Sequence, residues 1–203
     1  MRKLTAIENV TLDGVMQAPR GAEEDTRGGF TRGGWAVPYD DEIKDQEMGK
    51  GMGITDLLFG RRTYEHFFDV WPNRDDGNPF TEVLNNAQKY VGSRTLTEPL
   101  PWENSTLLHG HVADAVRDLK ATEGNDIGIL GSGELVRALL PVGLIDEFIL
   151  LIHPLVLGSG RKLFADDGQS IDFEPIQSVT TTKGVVIATY MTESAEPADG
   201  EEN

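Results

Sequence analysis

Residues 126–135 read DIGILGSGEL. This stretch predicts a buried strand over residues 126–130, a glycine turn, and a helix over residues 134–140 that Pro141 ends. Such a turn leaves backbone N–H groups free at the start of the helix, where they favour an anion, and its glycines let a phosphate approach closely. The complete G-x-G-x-x-G pattern is absent because Val136 stands where the third glycine would be, and this disfavours a Rossmann domain.

Two further turns have the same character. One reads FGRRT at residues 59–63 and the other reads VGSRT at residues 91–95, and each follows a short apolar run. Each turn alone has a plain alternative: Gly60 only turns the chain, Thr63 only helps to cap a helix, or the VGSRT segment is a solvated turn. The three turns together predict a site for a ligand with several phosphates, such as a dinucleotide.

The rest of the chain alternates strands and helices and closes with a hairpin. Strands are predicted over residues 3–12, 55–59, 89–91, 105–108, 126–130, 144–157, 173–182 and 185–192. Helices are predicted over residues 40–53, 62–70, 80–88, 112–122 and 134–140. Lys183-Gly184 predicts the final hairpin turn. This order predicts an α/β layered fold whose sheet is mostly parallel with an antiparallel edge.

Composition limits the partners and the compartment. The formal net charge is −16, which excludes nucleic acid as a partner and requires that any site for an anionic cofactor be locally positive. The chain has no cysteine, so disulfides and thiolate metal sites are excluded and a reducing compartment fits. No apolar run is long enough for a membrane helix or a signal peptide, which predicts a cytoplasmic protein without membrane contact. We expect one domain over residues 1–192 and an acidic, disordered tail over residues 193–203.

Seven segments resemble one known family in the same order along the chain. They read TLDG at 11–14, GFTRGGW at 29–35, LFGRRTYE at 58–65, KYVGSRTL at 89–96, GSGEL at 131–135, LIDE at 144–147 and HPLVLGSG at 153–160. The chain resembles the dihydrofolate reductase-like superfamily, in the branch similar to the C-terminal reductase domain of riboflavin biosynthesis. The resemblance implies a three-layer α/β/α fold with a mixed, mostly parallel sheet, NADPH as the cofactor, and a homodimer.

The resemblance also implies which residues contact the cofactor. They are Gly14, Gly60, Arg61, Arg62, Thr63, Ser93, Arg94, Gly131, Ser132, Gly133 and Glu134. By this resemblance the turn at residues 59–63 holds the cofactor phosphates, and the turn at residues 131–134 cradles the pyrophosphate at a helix start. Ser93 and Arg94 would lie near the 2′-phosphate that separates NADP from NAD. Asp13 and Gly14 would border the nicotinamide and the substrate.

The substrate side rests on the segment WAVPYD at residues 35–40. It resembles the tryptophan, proline and carboxylate spacing before the first helix of bacterial dihydrofolate reductases, where the acid hydrogen-bonds the pterin and helps to deliver a proton. Asp40 would therefore assist protonation of a C=N or C=O group. The catalytic and substrate-side candidates are Asp40, Asp13, Trp35 and Gly34. As an alternative, Asp40 only stabilises a helix N-terminus, and Asp41 or Glu42 would serve equally.

The leading function is an NADPH-dependent reductase that transfers hydride to a small heterocyclic, carbonyl or imine substrate, similar to a pteridine or an aminopyrimidine riboside. The alternatives are a true dihydrofolate or pterin reductase and an NADP-binding protein without turnover. No metal site is predicted, because His109 and His111 lack a supporting carboxylate or cysteine cluster. We expect His153, in an apolar strand, to be a satisfied core or interface histidine. Residues 158–162 could bind a substrate phosphate, but we expect them to form a plain turn.

Overall fold

A computed structural model of the protein describes residues 1–50, 56–75, 77–164 and 170–192. The predicted end of the first helix at residues 51–53, the predicted strand start at Thr55 and the predicted tail at residues 193–203 lie outside the described residues. No helix among the described residues is long and apolar enough to cross a membrane.

One sheet of eight strands forms the middle of the protein. The strands are β1 Leu4–Thr11, β2 Asp56–Gly60, β3 Lys89–Gly92, β4 Ser105–Leu108, β5 Ile127–Leu130, β6 Glu147–His153, β7 Phe173–Thr180 and β8 Val186–Thr192. Their order across the sheet is β4-β3-β2-β5-β1-β6-β8-β7. Strands β1 to β6 run parallel, whereas β8 is antiparallel to both β6 and β7. The predicted mixed, mostly parallel sheet with an antiparallel hairpin is confirmed.

Five α-helices among the described residues cover the sheet. They are α1 Glu42–Gly49, α2 Arg61–Val70, α3 Pro79–Asn86, α4 Val112–Ala121 and α5 Gly133–Leu139. The first helix begins at Glu42 rather than at Asp40, because the Asp41 carboxylate caps it by accepting a hydrogen bond from the Lys44 backbone N–H at 2.9 Å. Asp40 therefore precedes the cap, and the alternative that it only stabilises the helix N-terminus stays open.

The long strand predicted over residues 144–157 is shorter in the structure, and only Glu147–His153 pairs as a strand. At one end, the Asp146 carboxylate accepts hydrogen bonds from the Leu4 backbone N–H and from Lys120 Nζ, both at 2.6 Å, and the Asp146 backbone still bonds Leu4 and Thr192. At the other end, Pro154 has no N–H for the ladder, so the strand stops before it. The apolar composition continued past both ends and hid these boundaries.

The sheet carries an apolar cluster on each face. On β2, Leu58 packs in the cluster beneath α4 and α5, whereas Leu57 and Phe59 pack with Tyr64 and Leu84 of α2 and α3. Met48 of α1 packs over β6 and β8 on the same face as α2 and α3. The three-layer α/β/α arrangement implied by the resemblance is confirmed. The carboxyl ends of the parallel strands therefore meet at one edge of the sheet, where all three turns predicted to bind phosphate lie.

Candidate active site

A cleft of about 1680 Å³ runs along the carboxyl ends of the parallel strands. It is larger than the ~300–1,000 Å³ of a typical site for one small ligand, so it has room for a dinucleotide beside a second small molecule. The three predicted turns all line it, contributing Gly60, Arg61, Arg62, Thr63, Gly92, Ser93, Arg94, Gly131, Ser132, Gly133 and Glu134. The structure therefore brings together turns that are separated by about seventy residues of sequence.

The turns at residues 59–63 and 131–134 are joined directly by a hydrogen bond. The Gly60 N–H donates to Ser132 Oγ at 3.0 Å, which places the starts of α2 and α5 side by side. Gly131 and Ser132 both have a φ of 63°, and for Ser132 this left-handed conformation is uncommon. Neither helix has a side-chain cap on its first amides. Two helix starts with open N–H groups thus face one space, as a pyrophosphate site requires.

Glu134 gathers three arginines from distant parts of the chain. Its carboxylate lies 2.7 Å from Arg27, 3.1 Å from Arg62 and 3.5 Å from Arg161. Burial opposes its ionisation, but the hydrogen bond from Arg27 and the charges of all three arginines lower the pKa of Glu134. Asp25 also binds Arg27, so three guanidinium groups here face two carboxylates. This cluster is net positive in a chain whose formal charge is −16.

The other two arginines of the predicted turns have different surroundings. Arg61 pairs with Glu65 one turn along α2, at 3.0 Å. Arg94 is exposed on the cleft and has no hydrogen bond or ion pair to any described residue. Ser93 Oγ accepts the Thr95 and Leu96 backbone N–H groups at 3.1 and 3.0 Å, which holds the turn in shape. Arg94 is therefore an unpaired cation on a fixed turn.

Asp40 lies on the cleft wall between two cations. Its Oδ1 accepts hydrogen bonds from Lys44 Nζ at 2.6 Å and from Arg20 at 2.7 Å. Burial favours the neutral acid, but these two hydrogen bonds outweigh it and lower the pKa of Asp40. Asp40 is thus a carboxylate at neutral pH, and its Oδ2 accepts no hydrogen bond from the described residues. Lys44 is itself buried and lines the same wall.

His153 supports this wall from behind. Its ring is fully buried, lies edge-on to Trp35 and Tyr39 at 5.1 and 5.4 Å, and its Nε2 is 3.0 Å from Asn9 Oδ1. Burial, followed by the charge of Lys44, lowers the pKa of His153 to about 4. Its Nδ1 has no partner among the described residues. The histidine is a core residue, as predicted, but only one of its nitrogens is satisfied.

Four predicted residues do not line the cleft. Trp35 is buried in a separate cluster, and its indole N–H donates to the Gln17 carbonyl at 2.7 Å. Gly34 precedes it, with a φ of 80°. Asp13 accepts hydrogen bonds from Thr11 Oγ1 at 2.5 Å and from the Gly158 N–H at 2.7 Å, and Gly14 completes that turn. The Thr11 hydrogen bond, the largest cause, keeps the pKa of Asp13 low. Their predicted contacts with ligands stay predictions.

Known proteins with similar sequences and structures show the family to which this chain belongs. The family model described as the RibD C-terminal domain matches residues 2–187. The chain belongs to the RibD C-terminal domain family. It is 30% identical over 192 residues to the uncharacterized protein YyaP of Bacillus subtilis (strain 168), an alignment that covers 89% of this chain and 90% of YyaP.

Solved structures support the same fold for this RibD C-terminal domain protein. A putative riboflavin biosynthesis protein from Shewanella sp. PV-4 superposes with a TM-score of 0.66 and 24% identity, covering 95% of this chain and 99% of that one. Dihydrofolate reductase from Enterococcus faecalis, solved in complex with NADP(H), superposes with a TM-score of 0.56 and 17% identity, covering 94% and 96% of the two chains. The dihydrofolate reductase-like fold is therefore shown.

Several residues that line the cleft of this RibD C-terminal domain protein were not predicted from the sequence. Arg20 and Arg27 lie in the glycine-rich loop before α1, Lys44 follows the α1 cap, and Arg161 lies in the turn after β6. Only the turn at residues 158–162 carried a signal, since basic residues follow its glycines. The described residues contain no cluster of three or more potential metal ligands.

Proposed function

We propose that this chain is an NADPH-dependent reductase that transfers hydride to a carbonyl or imine carbon of a small heterocyclic substrate. The observation that carries the proposal is the convergence of three phosphate turns and a net positive arginine cluster on one large cleft. Family membership and the dihydrofolate reductase-like neighbours support a reductase-type protein. When bound, NADPH would supply the hydride.

The residues present fit this cofactor. Open amides at the starts of α2 and α5, with Thr63 and the arginines around Glu134, suit a pyrophosphate. Gly131 has a φ of 63°, which favours glycine, and a Cβ added there would only make an ordinary contact with Thr63 Cγ2 at 3.6 Å. The unpaired Arg94 on the neighbouring turn suits the 2′-phosphate.

The substrate would lie against the wall that Asp40 forms. Apolar side chains of Ile7, Met48 and Leu151 line this part of the cleft, and they suit the face of a planar ring. Asp40 Oδ2 would accept a hydrogen bond from a ring N–H. The Lys44 ammonium, which Asp40 holds, would donate to the oxygen or nitrogen that gains negative charge as hydride reaches the adjacent carbon.

The reaction is tested by following NADPH oxidation against pterins, aminopyrimidine ribosides and quinones. Turnover of an aminopyrimidine riboside or another small carbonyl or imine compound supports the proposal. Turnover of dihydrofolate or pterins alone would replace it with the pterin reductase alternative. Tight NADPH binding without turnover of any compound would favour an NADP-binding protein without catalysis.

Replacing Arg94 with alanine is expected to weaken NADPH binding about 10- to 100-fold, because one charge-assisted contact to phosphate contributes about 1.5–3 kcal/mol. NADH affinity should stay within about twofold, since NADH has no 2′-phosphate. Quenching of tryptophan fluorescence measures both, and Trp71 lines the cleft. Arg117→Ala is the matched control, because this arginine pairs with Asp114 on α4 and does not line the cleft. Equal NADPH and NADH affinities in the unsubstituted protein would refute the Arg94 assignment.

We also propose a homodimer that uses the side of the sheet at β7 and β8. Large apolar side chains are exposed on these two strands at Ile176 and Met191, 50% and 44% accessible. β7 is the edge strand and has no described partner on its outer side. Sedimentation of the wild type should give twice the chain mass, and Met191→Lys should shift the distribution toward monomer. A monomeric wild type at micromolar concentration would rule the dimer out.

A further inference from the structure

Glu8 is a buried carboxyl group without a partner. The residue is 2% exposed, and its side chain makes no hydrogen bond or ion pair with any described residue. Burial alone raises the pKa of Glu8 well above its ordinary value. Glu134 and Arg137 on α5 and Arg161 after β6 line the same cleft as Glu8, and none of them is a cause of this pKa shift. A neutral carboxylic acid is therefore the form that the folded protein favours.

Its position in the sheet places Glu8 beside the third turn. Ile7 pairs with Leu130, the last residue of β5, and its carbonyl accepts the Gly131 N–H at 3.2 Å. Glu8 is the next residue of β1, and it lies opposite Leu150 of β6. It lines the same cleft as the Gly131–Gly133 turn. The acid thus lies at the edge of the cleft beside the proposed pyrophosphate turn, on the face of β1 opposite to Ile7.

The unpaired acid needs an explanation. An unsatisfied buried polar group costs about 1–3 kcal/mol, whereas an apolar side chain of similar size would cost nothing there. The neighbours of Glu8 on the same face of β1, Ala6 and Val10, are fully apolar and buried in the core. Packing alone would therefore favour leucine or methionine at this position. A buried acid that has no partner among the described residues and lines a ligand cleft is available to a ligand.

A neutral carboxyl presents one donor and one acceptor side by side. A primary carboxamide presents the matching acceptor and donor, so the two groups can join through two hydrogen bonds. We propose that Glu8 recognises the carboxamide of the nicotinamide ring, its O–H donating to the carboxamide oxygen and its carbonyl accepting the carboxamide N–H. This inference rests on the proposed function, because NADPH is the ligand. An amide edge of the substrate has the same chemistry, and the experiment separates the two sources.

The test measures the affinity of two ligands for the wild type, Glu8→Gln and Glu8→Leu. The ligands are NADPH and 2′-phospho-ADP-ribose, which keeps the phosphates and lacks nicotinamide. Glutamine offers the same donor and acceptor pair, so NADPH should bind within about threefold of wild type. Leucine should weaken NADPH about 5- to 30-fold, the loss of two hydrogen bonds. Affinity for 2′-phospho-ADP-ribose should be equal in all three proteins.

Two further measurements test whether the Glu8 carboxyl is protonated when NADPH binds. The ratio of NADPH affinity to 2′-phospho-ADP-ribose affinity should fall as pH rises through the raised pKa of Glu8, and it should be flat in Glu8→Gln. The 2′-phosphate titrates in both ligands, so it cancels from the ratio. Infrared difference spectra should show a carboxylic acid C=O band that shifts on NADPH binding and is missing from Glu8→Gln. Glu8→Leu should unfold at an equal or higher temperature, because it removes an unpaired buried group.

The outcomes are distinct. Unchanged NADPH affinity in Glu8→Leu overturns the inference. If the KM for the substrate also rises in this variant, Glu8 binds an amide of the substrate instead. An equal loss of both ligands would mean that Glu8 only shapes the cleft. If neither ligand binds the wild type, the proposed function itself fails, whatever the variants do.

Discussion

Asp40→Asn is expected to reduce kcat about 10²- to 10⁴-fold, the range by which a positioned acid or base contributes to catalysis. The substitution removes the negative charge that holds Lys44 Nζ at 2.6 Å and Arg20 at 2.7 Å, so the ammonium loses its fixed position beside the reacting group. The affinity for NADPH should stay within about twofold, because the phosphate turns are unchanged. Stopped-flow measurement of NADPH oxidation, with the best compound from the substrate panel, separates the two quantities.

Asp41→Asn is the matched control for this prediction. Asp41 is the neighbouring carboxylate, but it accepts hydrogen bonds from the Lys44 backbone N–H and from Thr182 Oγ1, the latter at 2.7 Å, and it does not line the cleft. The control should change the free energy of unfolding by less than about 1 kcal/mol, since asparagine is also a good helix cap, and should leave kcat near wild type. A normal kcat in Asp40→Asn would show that Asp40 only positions the loop.

Gly131→Val is expected to weaken NADPH binding on the order of 100-fold or more, about 2.7 kcal/mol or above. Gly131 has a φ of 63°, a conformation that a β-branched residue adopts only with strain. The added side chain would also enter the gap toward Thr63, where the proposed phosphates need to reach the backbone. Tryptophan fluorescence quenching measures the affinity, and thermal unfolding reports the strain.

Gly184→Val provides the same strain away from the cleft. Gly184 has a φ of 81°, and a Cβ there would lie 3.6 Å from Pro154, as a Cβ at Gly131 would lie 3.6 Å from Thr63. Both variants should lose about 1–2 kcal/mol of stability, but only Gly131→Val should lose affinity. If the two variants bind NADPH equally well, the turn at Gly131 does not hold the phosphates.

Much of the fold follows from local sequence patterns. The buried strand β5 was predictable because its four residues are apolar on both faces of a parallel sheet, and the final hairpin because Gly184 supplies the left-handed turn. The limits of β6 were not predictable. Pro154 ends that strand inside a longer apolar run, and at the other end Asp146 binds Lys120, which is distant in sequence.

The candidate site was predictable in part. Its phosphate turns were visible because each is a local signal, a few glycines and hydroxyls between a strand and a helix. Trp35 and Asp13 were equally visible, yet the first donates to a neighbouring loop and the second binds the turn after β6. A side chain's neighbours in sequence do not determine which way it faces when its partners come from elsewhere in the chain.

The sequence by itself determined the layered α/β fold, the family resemblance and the three turns, because strand period, helix caps and glycine turns are properties of neighbouring residues. Only the tertiary structure decided which charges meet. It placed Arg27, Arg62 and Arg161 around Glu134, set Asp40 between Arg20 and Lys44, and left Glu8 buried without a partner. These arrangements depend on contacts between residues far apart in the chain, and their energies depend on burial, which local sequence does not encode.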